Sequence, residues 1–259
     1  MTSLTREIRF FLRSEPLPDR VPNSWVGWND RLVIAPPLKL RITVSGAVDR
    51  QTGYVCNIKT LDDALRETIN QQITTKRDST NRLDELLARL ANRIEGNLPA
   101  GLNWVELELS VTPQFSLKVK RESRQMTFLT KQFEFSAAHR LHCDELSDAE
   151  NVATFGKCNN PSGHGHNYVL EITVSGAKES SSGRLPVHDQ LDSTVKRLVI
   201  DRFDHKHLNV DVAEFANLNP SVENIAATIW KILVGQLSPM TMHQIRVYET
   251  PKTWADYRE

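Results

Sequence analysis

The chain has few of the features that would place a protein in an oxidising compartment or in a membrane. It has three cysteines, Cys56, Cys143 and Cys158, in 259 residues, and such an odd, sparse number does not build a disulfide framework. No run of about 18 apolar residues occurs, so no membrane span is predicted. The first residues, MTSLTREIRFFLRSEP, contain neither an apolar core nor a small-residue cleavage site, so no signal peptide is predicted. We therefore expect a cytoplasmic protein.

An excess of charge of one sign is also missing. The 32 Lys and Arg residues balance the 32 Asp and Glu residues, whereas non-specific nucleic-acid binding needs a positive excess. We expect no nucleic-acid partner. A hydrophobic fraction of 39% and a charged fraction of 25% indicate a soluble globular protein. The length allows one large domain or two of ordinary size.

The sequence contains an internal repeat. LRITVSG at Leu40–Gly46 returns as LEITVSG at Leu170–Gly176, and the same spacing relates later glycine and Leu-Asp positions. After a longer gap, the helical segment that begins at Ser79 corresponds to the segment that begins at Ser221. Similarity in this order indicates two copies of one domain. The predicted limits are 1–122 and 123–259, on either side of a charged junction within KVKRESRQ.

Each copy has the same predicted order of elements. In the second copy, period-two and helical patterns predict strands at 131–139 and 167–176, a polar turn at 177–183, helices at 190–203 and 221–237, and strands at 243–250 and 254–257. Ser221 is a plausible N-cap of the second helix. Strands that follow one another pair antiparallel, with both helices on one face of the sheet, which is an α+β fold.

Three histidines of the second copy are predicted to converge. His164 and His166 are two residues apart at a strand start, so both imidazoles lie on one face. His139 ends the preceding strand, on the same face as Phe135. Three neutral imidazoles with an open fourth position are typical of a catalytic zinc site. Cys158 lies six residues before His164, and it could cover the metal ion or be its fourth ligand, which would make the site structural.

Further polar residues follow in the second copy. Asp204 and His205 are adjacent, and such a pair can move protons, although a helix cap is a simpler interpretation. Glu249 lies at the end of a predicted strand, where a carboxylate can accept hydrogen bonds from an amide-like or guanidine-like edge of a ligand. Each motif is weak alone, and the ordered combination is informative.

That combination resembles a known family. FSAAHRL, GKCNNPSGHGHNY, FDHKHLN, SVEN and VYET occur in the order found in the 6-pyruvoyl-tetrahydropterin synthase family, which includes bacterial 6-carboxytetrahydropterin synthase. The resemblance runs from about Lys131 to the C-terminus. It implies the tunnelling fold, a ββααββ unit whose copies assemble into a barrel, and this agrees with the predicted order of elements. The whole chain would then be two tandem tunnelling-fold domains.

The resemblance also implies a role for each candidate residue. His139, His164 and His166 would bind Zn2+, and Cys158 would be the general base instead of a ligand. Asp204 and His205 would form a proton relay. Glu249 would anchor the pterin ring, with Glu223 and Asn224 nearby in the pocket.

The implied reaction converts 7,8-dihydroneopterin triphosphate to 6-pyruvoyl-tetrahydropterin with elimination of triphosphate. The C-x5-H-x-H spacing favours this product over 6-carboxy-tetrahydropterin, the product of the queuosine pathway. A pterin-binding module without turnover and a purely structural zinc domain are further alternatives. Family active sites lie at subunit interfaces, so we expect a homo-oligomer, and two domains per chain suggest a trimer. No membrane partner is expected.

The first copy lacks this chemistry. In an ungapped alignment, Ile34 and Pro36 take the positions of His164 and His166, and about Ser14 lies opposite His139. No counterpart of Cys158 or of the Asp-His pair is found, and about Leu109 replaces Glu249. We therefore predict that the first copy is a degenerate, structural domain without a metal site.

Overall fold

A computed structural model describes residues 1–11, 37–73, 82–177 and 189–259. Contacts between Cα atoms divide the chain into two compact units, Met1–Leu129 with Gly176–Pro186, and Thr130–Ser175 with Val187–Glu259. The domain limits proposed from the sequence, 1–122 and 123–259, stay predictions. Within the described ranges, no helix is both long and apolar enough to cross a membrane.

Over residues 1–11, 37–73 and 82–120, the first unit has these strands and α-helices: β1 (Thr2–Phe11), β2 (Pro37–Gly46), α1 (Ile58–Ile73), α2 (Leu83–Asn97), β3 (Asn103–Thr112) and β4 (Phe115–Lys120). The strands pair antiparallel in the order β1-β2-β3-β4. Strand β2 alternates because every second residue, including Leu40 and Ile42, is fully buried. The apolar face of α2 packs on β3 and β4.

The second unit has the same order of main elements, with short additions. Its elements are most of β5 (Met126–His139), α3 (Asp148–Phe155), most of β6 (His164–Ala177), α4 (Asp189–Val195), a π-helical turn (Lys196–Ile200), α5 (Asp201–Phe203), β7 (Lys206–His207), α6 (Leu208–Asp211), α7 (Val222–Leu233), β8 (Thr241–Thr250) and β9 (Thr253–Tyr257). The sheet order is β5-β6-β8-β9, and β7 pairs parallel with β5. Helix α7 packs on β8 and β9. The predicted antiparallel sheet with helices, an α+β fold, is confirmed.

Two predicted helix limits can be compared with the structure. Ser221 caps α7 as predicted, since its hydroxyl accepts a hydrogen bond from the amide of Asn224 over 3.4 Å. The prediction that this helix reaches residue 237 is wrong. It ends at Leu233 because the backbone leaves the helical region at Val234, which has a ψ of 130°, and Gly235 has a φ of 77°. The polar turn predicted at 177–183 falls, after Ala177, outside the described residues.

The two units share details of strand pairing. The register of β2 against β3 shifts between Thr43 and Val44, and that of β6 against β8 shifts between Thr173 and Val174. These two bulges occupy the same place in the repeat LRITVSG/LEITVSG. In each unit the threonine of the bulge contacts a threonine hydroxyl of the preceding strand over 2.9 Å. The two units therefore share the position of a β-bulge and a threonine–threonine contact, in addition to the repeated sequence.

The closing hairpins of the two units are also alike. In β3–β4 and in β8–β9, a Thr-Pro turn follows a second bulge, at Val111 and at Glu249 respectively. The hydroxyls of Thr112 and Thr250 accept a hydrogen bond from the amide two residues later, over 3.2 and 3.1 Å. The counterpart of Glu249 is therefore Val111. The prediction of about Leu109 is wrong, because counting along the sequence did not include the hairpin register.

Candidate metal centre and active site

Three histidines converge at the ends of two neighbouring strands. His139 is the last residue of β5, and His164 and His166 open β6. One ligand atom from each ring lies within 4.8 Å of the others, and the Nε2 atoms of His139 and His164 are 3.1 Å apart. Among the described residues, this is the only group of three or more His, Cys, Asp or Glu side chains with such a spacing. The predicted convergence is present in the structure, and the ligand role of each histidine stays a prediction.

The environment favours the neutral imidazole at His139 and at His164. His139 is fully buried, and its Nδ1 lies 2.7 Å from the carbonyl oxygen of Pro220. A carbonyl only accepts, so Nδ1 carries the hydrogen and the lone pair of Nε2 faces the other rings. Burial lowers the pKa of His139 to about 4, and the neighbouring histidines add to this effect against the opposing hydrogen bond to Pro220. Burial, followed by the charge of His166, also lowers the pKa of His164.

The residues present fit a tetrahedral metal ion. Zinc–nitrogen bonds of about 2.05 Å place two ligand nitrogens about 3.3 Å apart in tetrahedral geometry, and the Nε2 atoms of His139 and His164 are 3.1 Å apart. The Nε2 of His166 is buried and has no hydrogen-bond partner among the described residues. A metal ligand needs a nitrogen lone pair that no hydrogen-bond donor already occupies, and a buried, unpartnered Nε2 meets this requirement. The site is therefore able to hold a cation of the zinc type.

Glu249 lies against the three histidines. Its Oε1 is 3.3 Å from Nε2 of His139 and 3.6 Å from Nε2 of His166. Glu249 is the bulge residue of β8 opposite β9, since Tyr248 pairs with Trp254 and Thr250 with Thr253. A bulge turns one side chain away from the regular alternation. The bulge thus brings the carboxylate of Glu249 into contact distance of two of the three histidines.

Tyr168 belongs to this site and was not predicted from the sequence. It is fully buried and stacks on Phe135 with 5.0 Å between ring centroids. Its edge-to-face neighbours are His139 at 6.1 Å and His166 at 5.6 Å. Burial raises the pKa of Tyr168, and the negative charges of Glu249 and Cys158 raise it further. The alternation of side chains along a β-strand could have predicted this position, because residue 168 lies on the same face of the strand as residues 164 and 166.

Cys158 lies in a short 3-10 turn before β6, and its thiol is half-buried and outside the group of three histidines. The turn is tied to the segment that follows β5. The carbonyl of Cys158 accepts from the amide of Leu141 over 2.9 Å. Arg140 Nε donates to the carbonyl of Asn159 over 3.2 Å, and His142 Nδ1 is 2.9 Å from the side chain of Asn159. These bonds fix the loop that carries the thiol.

Asp204 and His205 form a hydrogen-bonded pair. His205 Nδ1 lies 2.8 Å from Asp204 Oδ2, and Asp204 Oδ1 accepts from the amide of Ser136 over 2.8 Å. The Ser136 amide, then His205, hold the pKa of Asp204 below its ordinary value. His205 has a φ of 57°, which is uncommon outside glycine and is often found at functional positions.

The imidazole of His205 is exposed. With His166, Asn167, Lys206 and His207 it lines a cavity of about 480 Å³. Among the described residues, no hydrogen bond or ion pair joins the Asp204–His205 pair to Cys158 or to the three histidines.

Glu223 and Asn224 lie in the first turn of α7. The side-chain amide of Asn224 donates to the carbonyl of Asn219 over 2.8 Å, so this group has a structural partner. Glu223 is exposed. In the part of the chain that the structure describes, neither residue forms a hydrogen bond or ion pair with the three histidines, although the bond between His139 and Pro220 brings this end of α7 to the metal centre.

The second unit is thus an α+β domain with a group of three histidines that could hold a metal ion, flanked by a carboxylate and a tyrosine. The family model described as 6-pyruvoyl tetrahydropterin synthase matches residues 128–259. The chain belongs to this family.

Three named proteins are similar to about half of this chain. A "6-pyruvoyl tetrahydrobiopterin synthase" from Drosophila melanogaster is 44% identical over 134 residues, which are 51% of this chain and 80% of the relative. A "6-carboxy-5,6,7,8-tetrahydropterin synthase" from Bacillus subtilis is 31% identical over 138 residues, 50% of this chain and 84% of the relative. The solved structure of 6-pyruvoyl tetrahydropterin synthase from Caenorhabditis elegans is 37% identical and covers 52% of this chain and 96% of its own, with a TM-score of 0.49.

Proposed function

We propose that the chain is a lyase that converts 7,8-dihydroneopterin triphosphate to 6-pyruvoyl-tetrahydropterin and triphosphate. The observation that carries the proposal is the buried three-histidine centre, found in a chain of the 6-pyruvoyl tetrahydropterin synthase family. The relative from Drosophila melanogaster, at 44% identity, bears the name of this activity. Zn2+ is the proposed cofactor, because three neutral imidazoles with an open position suit a catalytic zinc ion.

His139, His164 and His166 would hold the metal. Bound zinc would supply Lewis acidity toward the hydroxyl and keto oxygens of the substrate side chain, which makes the adjacent C–H bonds more acidic. The hydrogen bond from His139 to Pro220 orients the imidazole and its lone pair. Burial of the same ring excludes water from one side of the centre.

Cys158 is proposed as the general base. Its loop is held by Leu141 and by the Arg140–Asn159 contact, so the thiol has a defined position next to the segment that follows His139. It would remove a proton from a side-chain carbon of the substrate. Asp204 holds His205 through Nδ1, which leaves Nε2 of His205 free to exchange protons with the substrate. Triphosphate would leave as the new double bond forms.

The exposed position of His205 favours an active site shared between chains. Its pair with Asp204 has no bond to Cys158 in the described part of its own chain, whereas an exposed imidazole can serve a neighbouring subunit. We therefore propose a homo-oligomer with active sites at its interfaces. A trimer of two-domain chains is the proposed assembly, with the sheets closing into a barrel of the tunnelling-fold type.

Glu249 and Glu223 are the proposed carboxylates for the pterin. Glu249 lies within 3.3–3.6 Å of two histidine nitrogens, so it would act where the substrate side chain meets the metal as well as at the ring. Glu223 is exposed at the start of α7, three residues after Pro220, whose carbonyl oxygen His139 contacts. Asn224 would contribute by holding this helix end, through its bond to Asn219.

The first unit is proposed to be a degenerate copy that retains the scaffold. The arguments are the shared order of elements, the shared bulges and an ion pair at matching positions, Arg6–Asp62 at 2.6 Å and Lys131–Asp192 at 2.7 Å. Ile34, Pro36 and Ser14, which the sequence aligns with the three histidines, lie outside the described residues. Val111 replaces Glu249. One metal ion per chain is therefore expected.

A second candidate is 6-carboxy-tetrahydropterin formation. The relative from Bacillus subtilis bears that name and is 31% identical, and the metal ligands would be the same. We favour the pyruvoyl product because of the spacing between Cys158 and His164, and because the relative that bears the pyruvoyl name is 44% identical. A cytoplasmic location, without nucleic-acid or membrane partners, is part of the proposal.

The deciding experiment is incubation of the zinc-loaded chain with 7,8-dihydroneopterin triphosphate. Triphosphate release together with 6-pyruvoyl-tetrahydropterin, identified by mass spectrometry, is the expected result. Release of acetaldehyde would show the carboxy reaction instead. If the substrate binds without any product, the chain is a pterin-binding module. If it does not bind, and removal of zinc unfolds the second unit, the centre is structural.

A further inference from the structure

Two polar residues lie side by side on β6 and β8 at the metal centre. Val169 pairs with Tyr248, so the antiparallel register places Tyr168 beside Glu249, one step further along both strands. Direct cross-strand neighbours have Cβ atoms about 4.5–5.5 Å apart. Both residues also approach the same ring: the Tyr168 centroid is 5.6 Å from that of His166, and Glu249 Oε1 is 3.6 Å from its Nε2. Tyr168 and Glu249 therefore belong to one local group.

Each member of this group has unused hydrogen-bonding capacity. The Tyr168 hydroxyl is buried and has no hydrogen-bond partner among the described residues. Glu249 directs Oε1 toward His139 and His166. Within the described ranges, no lysine or arginine forms an ion pair with it and no hydrogen bond reaches its Oε2. Buried hydroxyls are nearly always paired because an unpaired one is unfavourable. The Tyr168 hydroxyl therefore needs a hydrogen-bond partner in the metal-loaded enzyme.

The first unit supplies an internal comparison. Lys39 pairs with Ser110 there, so Leu38 lies beside Val111 at the same positions of the strands, and Val111 occupies the matching bulge. Leu38 is fully buried. Both polar residues of the pair are thus aliphatic in the unit whose described residues contain no group of three metal-type ligands. The Tyr168 hydroxyl and the Glu249 carboxylate are therefore both present in the unit that has the three histidines, and both are replaced in the other unit.

We propose that Tyr168 is a positioning residue that donates its phenolic hydrogen to the free oxygen of Glu249 in the loaded enzyme. The stack on Phe135 and the edges of His139 and His166 hold the ring, so the hydroxyl is delivered with little loss of side-chain freedom. The bond selects which carboxylate oxygen faces the metal centre. This inference rests on the proposed function for its kinetic test and on the metal centre alone for its spectroscopic test.

The test is a double-mutant cycle with Tyr168→Phe, Glu249→Gln and the double variant in the full chain. Tyr168→Phe is expected to lower kcat for triphosphate release about tenfold, with KM changed by less than about twofold, because it removes one charge-assisted hydrogen bond at the reacting centre. Adding Tyr168→Phe to Glu249→Gln is expected to change kcat by less than about twofold, since Tyr168 acts through Glu249.

The spectroscopic arm uses Co²⁺ in place of zinc. The visible absorption of the Co²⁺-loaded chain is expected to change in Tyr168→Phe in the same direction as in Glu249→Gln. Tyr248→Phe is the matched control, because its hydroxyl accepts from Arg246 over 3.3 Å and it should keep the wild-type spectrum and kcat. A thermal midpoint of the metal-free Tyr168→Phe chain at or above the metal-free wild-type value would show that packing is intact, because the hydroxyl has no partner among the described residues of the metal-free chain.

Two results would overturn the proposal. One is a Tyr168→Phe chain with wild-type kcat and spectrum, and the other is losses of kcat that multiply in the double variant. If the wild-type chain makes no pterin product, the proposed function fails, and the Co²⁺ spectra then decide alone: a shared change supports the Tyr168–Glu249 pair, and an unchanged Tyr168→Phe spectrum rejects it.

Discussion

His139 donates its Nδ1 hydrogen to the carbonyl of Pro220 over 2.7 Å, a bond that joins residues 81 positions apart in the chain. It connects the end of β5 to the start of α7 and sets the tautomer of a fully buried imidazole. The ring therefore presents one lone pair, at Nε2, to the other two histidines.

The first prediction concerns the pH dependence of stability in the metal-free chain. The pKa of His139 is about 4 in the folded chain, against an ordinary value of 6.5, so the unfolded chain takes up the proton first as the pH falls. The free energy of unfolding should therefore decrease between about pH 6.5 and 4, by about 3 kcal/mol for this group. Denaturant titrations of the metal-free chain at several pH values measure the slope. His139→Gln should reduce it, and an equal slope in that variant would contradict the assignment.

The second prediction is one zinc ion per chain. His166→Ala should weaken zinc affinity by more than the about 10–100-fold that loss of an outer-shell partner causes, because a direct ligand is removed. Metal analysis of dialysed protein gives the stoichiometry, and competition with a chelator gives the affinity. His243→Ala, a histidine of β8 outside the three-histidine group, is the control and should keep its zinc. Two zinc ions per chain would show that the first unit also binds metal.

The third prediction tests whether Cys158 acts as a general base or as the fourth ligand of the zinc ion. Cys158→Ser should lower kcat by about 10²–10⁴, the range for loss of a general base. Its zinc content should not change, because the thiol is outside the histidine group. Cys143→Ser is matched to it, since Cys143 is also half-buried and free, and should remain active. Loss of zinc from Cys158→Ser would instead make the cysteine the fourth ligand.

The fourth prediction tests active sites shared between chains. His139→Ala and His205→Ala should each be inactive alone. When the two variants are unfolded together and refolded as a mixture, up to about a quarter of the wild-type activity should return, because random assembly joins an intact metal centre to an intact His205 in that fraction of interfaces. Mixing two batches of the same variant is the control. Absence of any gain, in oligomers shown to contain both variants, would place His205 in its own chain's site.

The fifth prediction concerns Gly163, directly before the metal centre. A Cβ there would lie 2.6 Å from Nε2 of His207 and 3.1 Å from the carbonyl oxygen of His139, at a φ of 72°. Gly235 has a φ of 77°, and a Cβ on this residue would meet no atom within 4 Å. Gly235→Ala should cost about 1–2 kcal/mol of stability from backbone strain alone.

Gly163→Ala should cost more, about 2–4 kcal/mol, since the His207 ring must also move. Denaturant unfolding compares the two variants. Equal losses would mean that His207 adjusts without resistance.

Much of the fold could be predicted because its signals are local. Period two placed His164 and His166 on one face and His139 on the same face of the neighbouring strand, and Ser221 marked the start of α7. Helix α3 was missed although Ser147 and Glu150 form a capping box that can be read from SDAE. Its eight residues are too few to show a clear apolar period.

Other features depend on contacts between distant residues. The bond from His139 to Pro220 cannot be read from either segment alone. The position of Glu249 depends on the bulge opposite β9, so a count along the sequence assigned its counterpart as Leu109 instead of Val111. The left-handed backbone of His205 is accompanied by a hydrogen bond from its amide to the carbonyl oxygen of Ser136 in β5, over 2.6 Å.

The bulge that Val111 and Glu249 share has a practical consequence. The first unit has the same bulge at Val111 as the second unit has at Glu249, although the valine side chain carries no charge. A polar pair like Tyr168–Glu249 could therefore be introduced into the first unit by the side-chain replacements Leu38→Tyr and Val111→Glu alone, because the strand register and the bulge are already present.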